Sequence, residues 1–122
     1  MNILRAFALT CVAFAVIPSI GLAQQPDLDS ANYVMPGCRQ AIAPPPDKPT
    51  VNMLIGETLC TGMVWGVWDI AENRKWVCSP GRAIITQGVR VVVQYIDARP
   101  ARMDEQFPAL ALEALRAAWP CR

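Results

Sequence analysis

Four cysteines spread over residues 38–121 constrain this chain more than any other feature of its sequence. A fifth, Cys11, lies in an amino-terminal segment that has the character of an export signal. Short exported chains with an even number of cysteines are typically held by disulfides, and four cysteines allow three pairings. The chain has no histidine, and no two cysteines have the CxxC spacing of zinc sites. The sequence therefore predicts two disulfides among Cys38, Cys60, Cys78 and Cys121. It predicts no metal site.

The first 23 residues, MNILRAFALTCVAFAVIPSIGLA, are interpreted as a secretory signal peptide. Arg5 precedes an apolar run over residues 6–17, and small residues occupy positions −3 and −1 before a cleavage site after Ala23. The apolar run is too short to span a membrane. We expect an exported mature chain of residues 24–122 that has no membrane span.

The charge balance and the residue types exclude several classes of function. Eleven basic and ten acidic side chains give a net charge of +1, and loss of Arg5 with the signal peptide leaves them equal. A balanced charge argues against nucleic acid or an anionic membrane as the partner. Without histidine the commonest general base is missing, and no nucleophile–base pair or phosphate-binding loop is present. We therefore expect no enzyme, no catalytic residue and no cofactor.

Hydrophobic periodicity predicts an all-α domain of four helices. The first begins after Asp29-Ser30 and is expected to break or kink at Pro36-Gly37. A proline-rich loop, APPPDKPT, follows at residues 43–50. The second helix is expected over about residues 52–72, with an inner face of apolar and small residues at three- and four-residue steps: Met53, Gly56, Cys60, Met63, Val64, Val67 and Ile70.

The third segment has two possible readings. AIITQGVRVVVQYI is rich in β-branched residues, which favour a strand. However, the apolar residues of this segment are spaced as on a helix, and its extent over residues 83–98 exceeds most strands. We therefore predict a third helix there. The fourth begins near Pro108, runs through an alanine- and leucine-rich stretch, and ends before Pro120.

An antiparallel pair formed by the third and fourth helices would bring Cys78 beside Cys121. By the same reasoning Cys38, near the end of the first segment, can meet Cys60 midway along the second, because the proline-rich loop lets the chain return. We expect these two pairings. Each closed loop stabilises a fold by roughly 3–4 kcal/mol in the chain-entropy model.

The stretch CTGMVWGVWD, residues 60–69, contains the candidate contact residues. Two glycines inside a helix cost roughly 1 kcal/mol each, which is most easily offset where another backbone approaches closely. Gly62 and Gly66 are therefore interpreted as a close-packing site for a neighbouring helix of the same chain, with a homodimer contact as the alternative. Trp65, Trp68 and Asp69 are candidates for binding a partner protein, although the two rings could equally complete a small core. Asp69 could be solvated, or it could pair with Arg90 or Arg116.

An ordered set of short motifs resembles the Rap/Tai immunity-protein domain over about residues 38–121. The set comprises Cys60-x-Gly62-x-x-x-Gly66-Val67-x-Asp69, Cys78-x-Pro80, Gln87, Val91-Val92-Val93, Tyr95, Arg99-Pro100 and Trp119-Pro120-Cys121. The resemblance implies a small, mostly helical, disulfide-containing and often dimeric periplasmic protein. It further implies that the chain binds and neutralises a peptidoglycan-cleaving amidase effector of a type VI secretion system.

Two functions remain open at this point. The first is a periplasmic binding protein that sequesters such an effector by occlusion. The second is a small periplasmic stress or chaperone-like protein with no dedicated effector, which would expose apolar surface at low pH. The lack of histidine weakens the second function, since carboxylates alone would have to sense the proton.

Overall fold

The computed structural model describes residues 26–122, which form an all-α domain. Its four α-helices are α1 (Ala31–Ile42), α2 (Val51–Asn73), α3 (Ile85–Asp97) and α4 (Phe107–Ala118), with a short 3-10 helix at Pro100–Arg102. The only extended pairing in this part of the chain is an isolated bridge between Ser30 and Gln106. The predicted four-helix fold is confirmed, as is the proline-rich loop between α1 and α2. The predicted signal peptide, residues 1–23, lies outside the described residues.

The helix α2, the longest of the four, packs against α1, α3 and α4. Its buried side chains are Cys60, Val64, Trp68 and Ala71. The predicted inner face was partly wrong, because Ile70 is 58% exposed and Trp68 takes its place in the core. No helix within residues 26–122 is long and apolar enough to cross a membrane.

Of the predicted break or kink at Pro36, the break does not occur, because α1 continues through this residue. Proline removes one backbone hydrogen bond from a helix interior and crowds the preceding turn. Both Pro36 and Asn32, whose carbonyl would have accepted that bond, are exposed, so water can take the place of the missing donor. The opposite side of α1 is held in the core by Val34, Met35 and Cys38, which are all buried.

Two glycines allow α1 and α2 to cross in close contact. A Cβ at residue 37 would overlap the carbonyl group of Gly56 and lie 2.9 Å from its Cα. One residue further along α1, Cys38 is joined to Cys60 by a buried disulfide with a Cα–Cα distance of 5.1 Å. The crossing is therefore fixed both by steric fit and by a covalent bond.

The chain leaves α2 through a compact turn that sets up the second disulfide. The amides of Lys75 and Trp76 donate to the carbonyls of Glu72 and Ala71, which is the Schellman pattern of helix ends. Lys75 occupies the left-handed position of this motif, with φ of 57°. Beyond the turn, Cys78 is bonded to Cys121 with a Cα–Cα distance of 4.9 Å. Both disulfides thus have the expected pairing.

The third segment is a helix, as predicted. It is strongly amphipathic, and its buried residues are Gly88, Val89, Val92, Val93 and Ile96. Its first turn is stabilised by Gln87, whose side-chain oxygen accepts a hydrogen bond from the amide of Ile84 at 3.0 Å. Because α3 packs on both α1 and α2 as well as α4, burial of this face outweighs the β-propensity of its valines.

The glycine crossing gives a matched pair of substitutions. Gly37→Ala should lower the free energy of unfolding by about 3 kcal/mol, because the new methyl group meets backbone that cannot move aside. Gly56→Ala should stay within about 1 kcal/mol of wild type, since its Cβ would lie 3.4 Å from the nearest Gly37 atom. Urea unfolding of the oxidised proteins measures both. Equal losses in the two variants would contradict the described crossing.

Candidate functional site

An open groove of about 480 Å³ lies between the last turns of α2 and the connection to α3. It brings together all three residues predicted to bind a partner, Trp65, Trp68 and Asp69, with Glu72 and Ser79. The first four of these residues come from successive turns of one helix face, and Ser79 follows Cys78 of the second disulfide. We call this feature the α2 groove.

Trp68 belongs mainly to the core. It is only 6% exposed, and its ring packs against Trp119 with 4.9 Å between the centroids. Gly88 provides the space for this ring, because a Cβ there would lie 2.7 Å from a Trp68 ring carbon. The indole Nε1–H of Trp68 donates to Ser79 Oγ at 3.3 Å. With so little exposed area, Trp68 positions other groups of the groove rather than offering a contact surface of its own.

Trp65 and Asp69, in contrast, are both accessible. Trp65 is 59% exposed, and its ring is tilted by 56° to that of Trp68 with 6.4 Å between the centroids. Asp69 lies one helical turn later and is also exposed. Within residues 26–122 its carboxylate forms no ion pair, either with Arg90 and Arg116 or with another basic residue. An exposed aromatic ring thus stands beside an unpaired negative charge.

Sequence reasoning missed Glu72 and Ser79, which form the polar wall of the α2 groove. The Ser79 hydroxyl donates a hydrogen bond to Glu72 Oε1. This bond, and next the nearby indole of Trp68, lower the pKa of Glu72 below its ordinary value of 4.5. The carboxylate is therefore ionised at neutral pH. The position of Glu72, three residues after Asp69, could have suggested a shared helix face, but the contact with Ser79 depends on the turn at Lys75.

The predicted close-packing role of Gly62 and Gly66 inside the chain is wrong. A Cβ at either position would have no atom within 4 Å among the described residues outside the local helix. Both glycines lie on the solvent side of α2, because the core takes the opposite side of the helix. The close approach of two helices occurs at Gly37 and Gly56 instead.

The solvent side of α2 carries an unusual number of apolar side chains. Val51 is 70% exposed, Ile55 59% and Leu54 49%. These three lie on the same side of the helix as Gly62 and Trp65. Along this set, neighbouring side chains are three, four or seven residues apart, which is the spacing of one helix face. We call this surface, made of Val51, Leu54, Ile55, Thr58, Gly62 and Trp65, the outer face of α2.

The other charged clusters have structural roles. Arg102 binds Glu105 and Glu113, with N–O distances of 2.6 and 2.7 Å, and thereby lowers the pKa of both carboxyl groups. Arg39 pairs with Asp97 across α1 and α3 at 2.6 Å. Among the described residues no three potential metal ligands form a cluster. The α2 groove is thus a surface suited to binding, with an aromatic ring and two carboxylates.

The Ser79 hydrogen bond makes a pH-dependent contribution to stability. Because the pKa of Glu72 is lowered on folding, the ionised form stabilises the folded state, and this contribution is lost as pH falls below 4.5. Ser79→Ala should cost about 1 kcal/mol at pH 7. The difference from wild type should shrink as the pH is lowered through the pKa of Glu72, as measured by urea unfolding at a series of pH values. A difference independent of pH would show that Ser79 does not stabilise the carboxylate.

Comparison with known families agrees with this architecture. The family model of the Rap1a immunity proteins matches residues 30–121. None of the curated proteins compared matches the chain. The matched segment begins directly before α1, ends at the last cysteine, and so includes all four helices and both disulfides. The chain therefore belongs to the Rap1a immunity proteins, a family that neutralises effectors by binding them.

Proposed function

We propose that this chain is a periplasmic immunity protein that neutralises a secreted peptidoglycan amidase by occlusion. In this proposal residues 1–23 direct export and are removed after Ala23, and residues 24–122 act in the periplasm. The two disulfides support an oxidising compartment, since such bonds persist in exported proteins. The family supports the neutralisation of an effector. The amidase as target comes from the resemblance to the Rap/Tai domain.

The observation that carries the proposal is the exposure of Trp65 beside the α2 groove. Tryptophan buries a large area on binding and is enriched among the residues that dominate interface energies. Trp65 is 59% exposed, so most of its ring area is not used by the core and is available for a contact. Asp69 adjoins this ring and adds a charge that can select the partner.

The electrostatics of the groove favour binding over catalysis. A carboxyl group that acts as a general acid near neutral pH needs a raised pKa. The pKa of Glu72 is lowered instead, chiefly by the hydrogen bond from Ser79. The groove therefore holds a stable negative charge, which suits recognition of a complementary surface.

The same proposal includes a homodimer formed through the outer face of α2. The large residues Leu54 and Ile55 stand next to the small residues Thr58 and Gly62, so two copies related by a two-fold axis can interdigitate along this face. The open space over Gly62 and Gly66 allows a second backbone to approach closely. A second copy would then cover the part of the outer face over residues 51–62 and leave Trp65, with the rest of the α2 groove, for the effector.

Replacement of Trp65 tests the effector contact. Trp65→Ala should weaken the complex with the amidase by about 2 kcal/mol, or roughly thirtyfold in dissociation constant, because it removes the largest accessible ring of the groove. Trp76→Ala is the matched control, since Trp76 is 47% exposed and does not line the groove. Binding is measured with purified peptidoglycan amidase effectors of type VI secretion systems, together with inhibition of peptidoglycan cleavage.

The binding and inhibition measurements distinguish an immunity protein from a chaperone-like protein. Immunity requires that the wild-type protein inhibits the amidase and that Trp65→Ala loses more affinity than Trp76→Ala. Absence of inhibition, together with suppression of aggregation of unrelated proteins at low pH, would overturn immunity in favour of a chaperone-like role.

A charge placed on the outer face of α2 tests the homodimer. Ile55→Asp should convert the dimer to a monomer, because it buries an unpaired carboxylate at the proposed contact. Ile70→Asp is the control, since Ile70 is 58% exposed but lies on another side of α2. Light scattering coupled to size-exclusion chromatography gives the mass of each variant. A monomeric wild-type protein, or equal dissociation by both substitutions, would rule out this interface.

A further inference from the structure

The α2 groove carries negative charge that the fold does not compensate. Asp69 and Glu72 both line it, and the one basic residue in its lining, Lys75, is exposed and pairs with neither of them at ion-pair distance. Elsewhere in the described chain Asp97, Glu105 and Glu113 each have an arginine partner. Two carboxylates against one ammonium group leave the groove with a net charge of −1.

The position of these carboxylates on α2 is unfavourable for the stability of the helix. They lie in its last two turns, where the helix dipole is negative. The last turn itself contains no basic residue, and Arg74 at the C-cap and Lys75 follow it. Negative side chains are disfavoured at this end of a helix, by about 0.3–1 kcal/mol each at exposed positions. The hydrogen bond from Ser79 offsets this cost for Glu72. Asp69 forms no ion pair among residues 26–122, so folding gives no reason for an acid at this position, whereas binding of a cation does.

The geometry of Glu72 is set in advance by its neighbours. One oxygen accepts the hydrogen bond from Ser79, whose own oxygen accepts from the indole of buried Trp68. Its second oxygen, Oε2, forms no ion pair among residues 26–122. One acceptor is thus held in place while the other is left available at the groove.

Trp65 supplies the third element of the site. Its exposed ring borders the same groove, and a cation over an indole face is attracted by the ring quadrupole. A guanidinium group suits this combination better than an ammonium group, because it is planar, stacks on aromatic rings and presents several donors to carboxylates. An anionic group would be repelled by Asp69 and Glu72.

We infer that the α2 groove is a receptor for an arginine side chain of the partner protein, which stacks on Trp65 and donates hydrogen bonds to Asp69 and Glu72. This inference rests on the proposed function, since it states which chemistry the partner must present at its contact surface. It also assigns Ser79 and Trp68 as positioning residues, which hold the Glu72 carboxylate and do not touch the arginine.

The experiment uses N-acetyl-L-arginine amide as the probe and the full oxidised protein, followed by NMR of the tryptophan indole N–H groups. N-acetyl-L-citrulline amide is the neutral probe of nearly the same shape. The arginine probe should give a saturable shift of the Trp65 indole resonance, and the citrulline probe should not. Asp69→Asn and Glu72→Gln should each weaken binding of the arginine probe by about threefold, as is typical of exposed ion pairs.

Asp104→Asn is the matched control, because Asp104 is an exposed acid that does not line the groove. It should bind the arginine probe like wild type. Equal shifts with both probes, or arginine binding unaffected by Asp69→Asn and Glu72→Gln, would overturn the inference. Absence of any shift would do so as well. No amidase is present in this experiment, so a negative result with the arginine probe would not change the result of the inhibition assay for immunity. A negative inhibition assay would likewise not change the result with the arginine probe.

Discussion

At the crossing of α1 and α2, the two backbones meet where Gly37 has no side chain, and the next residue is bonded covalently to α2. This crossing determines which side of α2 faces the core. Once Cys60 points toward α1, residues at helical spacing from it, Val64 and Trp68, are buried against α3 and α4. The opposite side of α2 must then face solvent, whatever residues it carries.

The two surfaces proposed to bind partners follow from that orientation. The outer face of α2 is apolar although it is exposed, and the α2 groove forms where the same helix ends. Trp68 links the core to the α2 groove. Its ring packs against Trp119 in the core, and its indole N–H donates to Ser79, which in turn donates to Glu72. The second disulfide begins one residue before Ser79, so the connection that forms one wall of the groove is held to the end of α4. A rigid frame of this kind reduces the entropy lost on binding.

Much of the fold could be predicted from the sequence, because helical periodicity and the order of the cysteines are local properties. The helices, the proline-rich loop and the disulfide pairing were obtained in this way. A break or kink was predicted at Pro36, and the break does not occur, because packing of Val34, Met35 and Cys38 holds α1 together across the proline. The packing glycines were also misassigned, although Gly56 had been placed on the inner face of α2. Sequence alone did not show which glycine meets another backbone. It also did not show the contact of Ser79 with Glu72, because that contact depends on a turn in which Lys75 has the left-handed conformation.

The two disulfides join consecutive cysteines, so the loops closed by residues 38–60 and 78–121 do not interleave. A chain that emerges amino end first into an oxidising space presents Cys38 and Cys60 before Cys78 appears. An oxidase that couples thiols in their order of arrival then forms the native bonds directly. For the export proposed above, this order favours the native pairs without disulfide reshuffling, a process that takes seconds to hours.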